Sequence, residues 1–190
     1  MTPPDIDKAS KAIADFLDAF HADEGDHTER TPHRVAVAWS DILSGYQTDP
    51  REHLKVTFTA PDNPGLVIAR NVRIQSTCAH HMLPITGHAT IAYRPRPGSP
   101  VVGLSKLTRL ADGYARRLQV QENITAQIVQ AIEQELNPLW AACAIEAEHG
   151  CMTLRGVRDV CGDTMTYNET GPATDADLQA FWTAVKTSRR

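Results

Sequence analysis

Residues 76–82 read Ser-Thr-Cys-Ala-His-His-Met and set a thiol and two adjacent imidazoles within four positions, Cys78, His80 and His81. A second concentration lies at residues 146–158, Glu-Ala-Glu-His-Gly-Cys-Met-Thr-Leu-Arg-Gly-Val-Arg. Taken as a strand, this stretch puts His149, Cys151, Thr153 and Arg155 on one face, because alternate strand residues point the same way. A histidine, a thiol and a guanidinium form an unusual core face. Together, Cys78, His81 and Cys151 make a Cys2His set suited to Zn2+, and three protein ligands leave one tetrahedral position open. His80 and His149 are then spare imidazoles able to carry protons near neutrality. Two other readings stay open: buried thiols beside a surface histidine, and a closed structural zinc with His80 or His149 as fourth ligand.

Two further clusters flank these. Gly-Leu-Ser-Lys-Leu-Thr-Arg-Leu, 103–110, places Ser105 as the cap of a helix, where free N–H groups favour an anion. Lys106 and Arg109 are three apart and share a helix face. With Arg155 they would cradle a polyphosphate; the plainer reading is a solvated basic face. Gln121 and Glu122 open another helix. A carboxylate there can accept hydrogen bonds from a guanine edge, or can be an ordinary first-turn Glu stabilised by the helix dipole.

These residues need a scaffold, and hydrophobic spacing predicts one. Asp5–Phe20 has helical periodicity, and Thr31-Pro32 reads as N-cap and first turn of a second helix ending near Gly45. Strands are expected at Val56–Phe58, Leu66–Ile74 and His88–Tyr93, with a proline-rich loop at 94–100. Two helices follow, from Ser105 and after Gln121. A long strand over Ala141–Val157, a short one at Thr164–Tyr167 and a helix over Asp175–Lys186, capped by Thr174, complete the chain. Strands clustered rather than alternating with helices predict an α+β fold with an antiparallel sheet. The organisation expected is an N-terminal helical region, 1–50, and a catalytic domain, 51–190.

Composition limits the function classes. The 190 residues carry a formal net charge of −4 and a pI near 6.0, so no overall basic field points to nucleic acid. No apolar run approaches membrane-span length. The first ten residues have neither a basic nor an apolar signal region, so a cytoplasmic location is expected. There the four cysteines act as thiols or metal ligands rather than a disulfide framework.

The motifs together resemble GTP cyclohydrolase I. Four ordered blocks carry the resemblance: TPHRVAVAWSDILSGY, STCAHHMLPITGHATIAY, VVGLSKLTRLADGYARRLQVQENITAQI and IEAEHGCMTLRGVR. It implies the tunnelling fold, an antiparallel sheet packed against two helices, assembled as a homodecamer with active sites between subunits. It implies conversion of GTP and water to formate and 7,8-dihydroneopterin triphosphate, the entry to folate and pterin synthesis. By position, it makes Cys78, His81 and Cys151 the zinc ligands, and His149, His80 and Ser105 the catalytic groups. Lys106, Arg109, Arg155 and Arg34 match triphosphate ligands, Arg34 reaching in from a neighbouring subunit. Gln121 and Glu122 match the guanine-recognition pair. Two departures stand out. Ala79 replaces the glutamate of the family's Cys-Glu-His-His, and His27-Thr-Glu-Arg stands where Arg-Glu-Gly-Leu is usual. A related hydrolase with altered metal or product, or a silent GTP-binding paralogue, are the alternatives.

Overall fold

The computed structural model describes residues 2–22 and 25–188. Helix α1 (Ile6–Ala19) is capped by Asp5, whose carboxylate accepts from the Lys8 N–H at 2.9 Å. It packs along α2 (Thr31–Ile42), but none of its residues is buried, and Phe16 and Phe20 remain exposed with ring centroids 4.9 Å apart. Thr31 is the first residue of α2 rather than its cap, and no side chain caps that end. Short 3-10 turns at Ser44–Tyr46 and Pro50–Leu54 lead into the sheet region.

Strands β1 (Thr57–Thr59) and β4 (Pro100–Val102) form a two-stranded ribbon. The main sheet contains β2 (Val67–Cys78), β3 (Pro84–Arg94), β5 (Leu118–Gln119), β6 (Trp140–His149) and β7 (Thr164–Thr170), in the order β5-β2-β3-β6-β7. It is antiparallel except for β5, which pairs parallel to β2 through Thr77↔Leu118 and Cys78↔Gln119. The fold is α+β as the sequence predicts, with a mixed rather than purely antiparallel sheet. β2 runs four residues past its expected end and carries Cys78 with it. An irregularity between Ala69 and Val72, with Asn71 at φ +54°, interrupts its pairing without ending the strand.

Helices α3 (Leu104–Ala115) and α4 (Gln121–Leu136) cover one sheet face. Leu107, Leu110, Ile124, Ile128 and Ile132 meet Ile74, Ile85, Ile91 and Ile145 there. Gly103, in extended conformation, is the residue before α3, so Ser105 lies inside the first turn rather than capping it. Helix α6 (Asp175–Lys186) covers part of the other face, with Phe181 and Val185 against Trp140, Ala142 and Ala144. Trp140 and Phe181 meet edge-on at 5.8 Å. β3 and β6 approach closely at Gly87, where an added Cβ would lie 2.0 Å from the Glu146 carbonyl oxygen.

The long strand expected over 141–157 stops at His149. Its last pair is Ile85↔His149. The preceding β3 residue is Pro84, which has no N–H to extend the ladder. Gly150 packs against it, and Gly150–Thr153 turn into a short helix, α5. Cys151 and Arg155 therefore share no strand face with His149.

Helix α6 is tied to β3 by charge. Arg94 forms a bidentate pair with Asp177, which is 1% exposed and also closes a capping box with Thr174. The Arg94 guanidinium holds the Asp177 carboxyl below its ordinary value of 3.8. A depressed folded pKa stabilises fully above the unfolded value and loses that effect as pH falls through the folded one. Asp177→Asn is therefore expected to cost about 2 kcal/mol in urea unfolding at neutral pH. The gap from wild type should narrow as pH drops below 3.8.

Candidate metal centre and its surroundings

Two turns build the site. The first links β2 to β3. The Cys78 N–H donates to Leu83 O at 2.8 Å and the Met82 N–H returns to Cys78 O at 2.8 Å. Met82 takes a left-handed φ of +56° to close this turn. The Ala79 N–H donates to Gln119 O at 2.9 Å, pinning the turn to β5. Cys78 stays buried at the strand end, while Ala79, His80 and His81 are exposed. The second turn is α5, which begins where β6 ends and presents Cys151. β3 lies between β2 and β6 and begins at this same edge, so both turns meet there.

The metal-ligating atoms of Cys78, His81 and Cys151 all lie within 4.8 Å of one another, and Cys78 Sγ is 4.0 Å from His81 Nδ1. Tetrahedral bonds of about 2.3 Å to sulfur and 2.0 Å to nitrogen require ligand separations of roughly 3.5–3.8 Å, so a small inward shift would seat an ion. The donors themselves fit a metal. Burial pushes the Cys151 thiol up, and the neighbouring Cys78 sulfur pushes it further. Two adjacent thiolates need a cation between them. Arg155 supplies part of that charge, with its Nη1 at 3.0 Å from His81 Nε2.

His149 lies two residues before Cys151. Its Nε2 meets Gln121 Oε1 at 2.7 Å. Burial lowers its pKa below the ordinary 6.5, and the Glu122 carboxylate opposes that shift. Gln121 and Glu122, adjacent at the start of α4, diverge: Gln121 is 1% exposed and turned inward, and Glu122 is exposed.

With this geometry in view, similarity to known proteins becomes informative. The family model described as GTP cyclohydrolase I matches residues 9–185. The chain belongs to the GTP cyclohydrolase I family. It is 44% identical over 163 residues to the "GTP cyclohydrolase 1" of Desulforamulus reducens, covering 85% of this chain and 86% of that protein. The proteins of the same name from Pelotomaculum thermopropionicum and Clostridioides difficile are 43% and 40% identical over 167 residues. These alignments cover 85% and 87% of this chain, and 86% and 87% of the relatives.

Among the described residues of this GTP cyclohydrolase I family member, one chain brings together Cys78, His81, Cys151 and Arg155, and the bonded pair His149 and Gln121 joins this group through the chain between His149 and Cys151. His80 adjoins them, its ring edge-on to His81 at 6.2 Å. Ser105, Lys106 and Arg109, on the first turns of α3, make no hydrogen bond or ion pair to the Cys-His-Cys group, and neither does the exposed Arg34 of α2. No described helix is long and apolar enough to cross a membrane. Sequence reasoning missed Thr125 and Thr166, which bond to one another at 2.6 Å beneath Gln121. The available signal was the four-residue spacing of Gln121 and Thr125, which stacks them on one face of α4.

Purified wild-type protein is expected to hold about one metal ion per chain by elemental analysis. Cys151→Ala should fall below roughly a tenth of that, because two ligands retain a divalent ion poorly. Cys161→Ser should keep the full complement, since Cys161 lies outside the donor group.

Proposed function

We propose that this chain hydrolyses the guanine imidazole ring of GTP, releasing formate and yielding 7,8-dihydroneopterin triphosphate, the first step toward folates and pterins. The observation that carries the reading is the Cys78, His81 and Cys151 donor group beside His149. Zinc is the assigned ion: it suits two thiolates and an imidazole, and when bound it supplies Lewis acidity and lowers the pKa of water toward neutrality.

The chain's own groups do the rest. His149 is assigned to move a proton to and from the ring as it opens. His80, exposed beside His81, exchanges protons in later steps. Ser105 assists at the ribose. The Glu122 carboxylate accepts from the guanine N1–H and exocyclic amine. Gln121 belongs with it in recognition only through its neighbour, because its own amide is occupied within the protein. Lys106, Arg109, Arg155 and Arg34 are assigned to the triphosphate, where charge-assisted bonds are strong. Ser105, Lys106, Arg109 and Arg34 make no bond to the donor group of their own chain. Completion of each site by a neighbouring subunit in a homo-oligomer, a decamer, accounts for that. The cytoplasm is assigned as the location, where reducing conditions keep Cys78 and Cys151 as free thiols.

Metal-loaded protein incubated with GTP should release formate and pterin fluorescence in equal amounts, both tracking zinc content. Neither signal from zinc-loaded protein would sink the reading. His149→Ala should lower kcat by about 10²- to 10⁴-fold, the usual worth of a positioned proton carrier. Ala79→Glu should leave zinc content and turnover within about twofold, below the roughly 10-fold minimum for a lost supporting carboxylate. Ala79 is held by its backbone bond to Gln119, and its side chain is exposed.

A further inference from the structure

A buried polar cluster beneath His149 has a single self-consistent arrangement of protons. Gln121 Nε2 is surrounded by acceptors: Ile145 O at 2.9 Å, Thr164 O at 2.9 Å and Thr166 Oγ1 at 3.1 Å. Flipping the amide would press its oxygen against two carbonyl oxygens and forfeit a hydrogen bond to each, about 0.5–1.5 kcal/mol apiece. The orientation is therefore set, and Oε1 faces His149 Nε2 at 2.7 Å, where it can only accept. Beneath the amide, Thr125 Oγ1 donates to Gln121 O at 3.0 Å. At its 2.6 Å contact with Thr166, Thr125 must therefore accept. Thr166 donates there and offers its lone pair to the Gln121 amide. Every donor has an acceptor, and none of these side-chain atoms is left unpartnered.

We infer that Gln121, Thr125 and Thr166 are positioning residues that keep a proton on His149 Nε2 and leave Nδ1 as the nitrogen that exchanges a proton with substrate. The amide oxygen accepts from Nε2–H, which leaves Nδ1 as the bare nitrogen. The ring cannot turn over without breaking that bond. The part concerning substrate rests on the GTP reading above; the tautomer does not.

The test uses full-length, zinc-loaded protein labelled with 15N-histidine. Solid-state NMR reads the protonation of each ring nitrogen at a pH where the ring is neutral, and His149→Asn identifies the resonances. Wild type should show Nε2 protonated and Nδ1 bare, and Gln121→Met should show both tautomers. A wild-type ring protonated on Nδ1 overturns the inference. In GTP turnover, Thr166→Val should lower kcat about tenfold with KM within about twofold, and Thr166→Ser should restore kcat. Equal rates for the valine and serine variants, or a KM effect at unchanged kcat, would also overturn it. If wild type releases no formate from GTP, the proposed function fails alone, and the NMR result still decides the tautomer.

Discussion

The register of β3 is the constraint on which the rest depends. Its first two residues settle both turns of the site. Pro84 pairs with Thr77, so β2 delivers Cys78 at the lip of the sheet. Ile85 pairs with His149, so β6 reaches the same lip and no farther. Side chains in a strand alternate with period two, and a slip by one residue would send every inward group outward. The alternating pattern of β6 opposes such a slip. Ala141, Cys143, Ile145 and Ala147 face the α3–α4 layer, while Ala142 and Ala144 face α6. Gly87 adds a steric lock, since only a residue without Cβ fits against Glu146 at that position.

The two faces of the sheet divide the labour. The α3–α4 face is a continuous apolar core and gives the lip a rigid backing. Cys143 sits inside it, its thiol pushed far up by burial, as an inert small hydrophobe. The other face is apolar only where α6 covers it and turns polar at Glu146 and Glu148, toward the site. Gln121 joins the layers: it starts a core helix, yet its side chain bonds to β6 at Ile145 and to β7 at Thr164. Rigidity from the core thus reaches His149 through hydrogen bonds as well as packing.

Much of this was legible in the residues. The spacing of Cys78, His81 and Cys151 identified the donor group, and apolar periodicity located the helices and most strands. The route by which Cys151 arrives was not legible. Strand alternation put it beside His149, whereas the chain turns at Gly150 because Pro84 ends the ladder, a fact carried by a residue some 65 positions away on the partner strand. β5 escaped notice because two residues carry no period. Thr125 and Thr166 escaped because a threonine in a helix or strand has no signature until its neighbours are known. The apolar stripe of α1 was read correctly as a pattern, yet no residue of α1 is buried within the chain.

The two turns carry a further consequence. Cys78 and Cys151 stand roughly seventy residues apart, with α3, α4 and four strands between them. An ion gripping both turns closes that whole span into a ring, and ring closure removes conformational freedom chiefly from the unfolded chain. Because such an ion binds the folded form alone, its affinity adds directly to resistance against unfolding. Under the proposed metal-dependent function, metal supply would govern how long the protein persists as well as how fast it works, and a cell short of the ion would lose the molecule along with its activity.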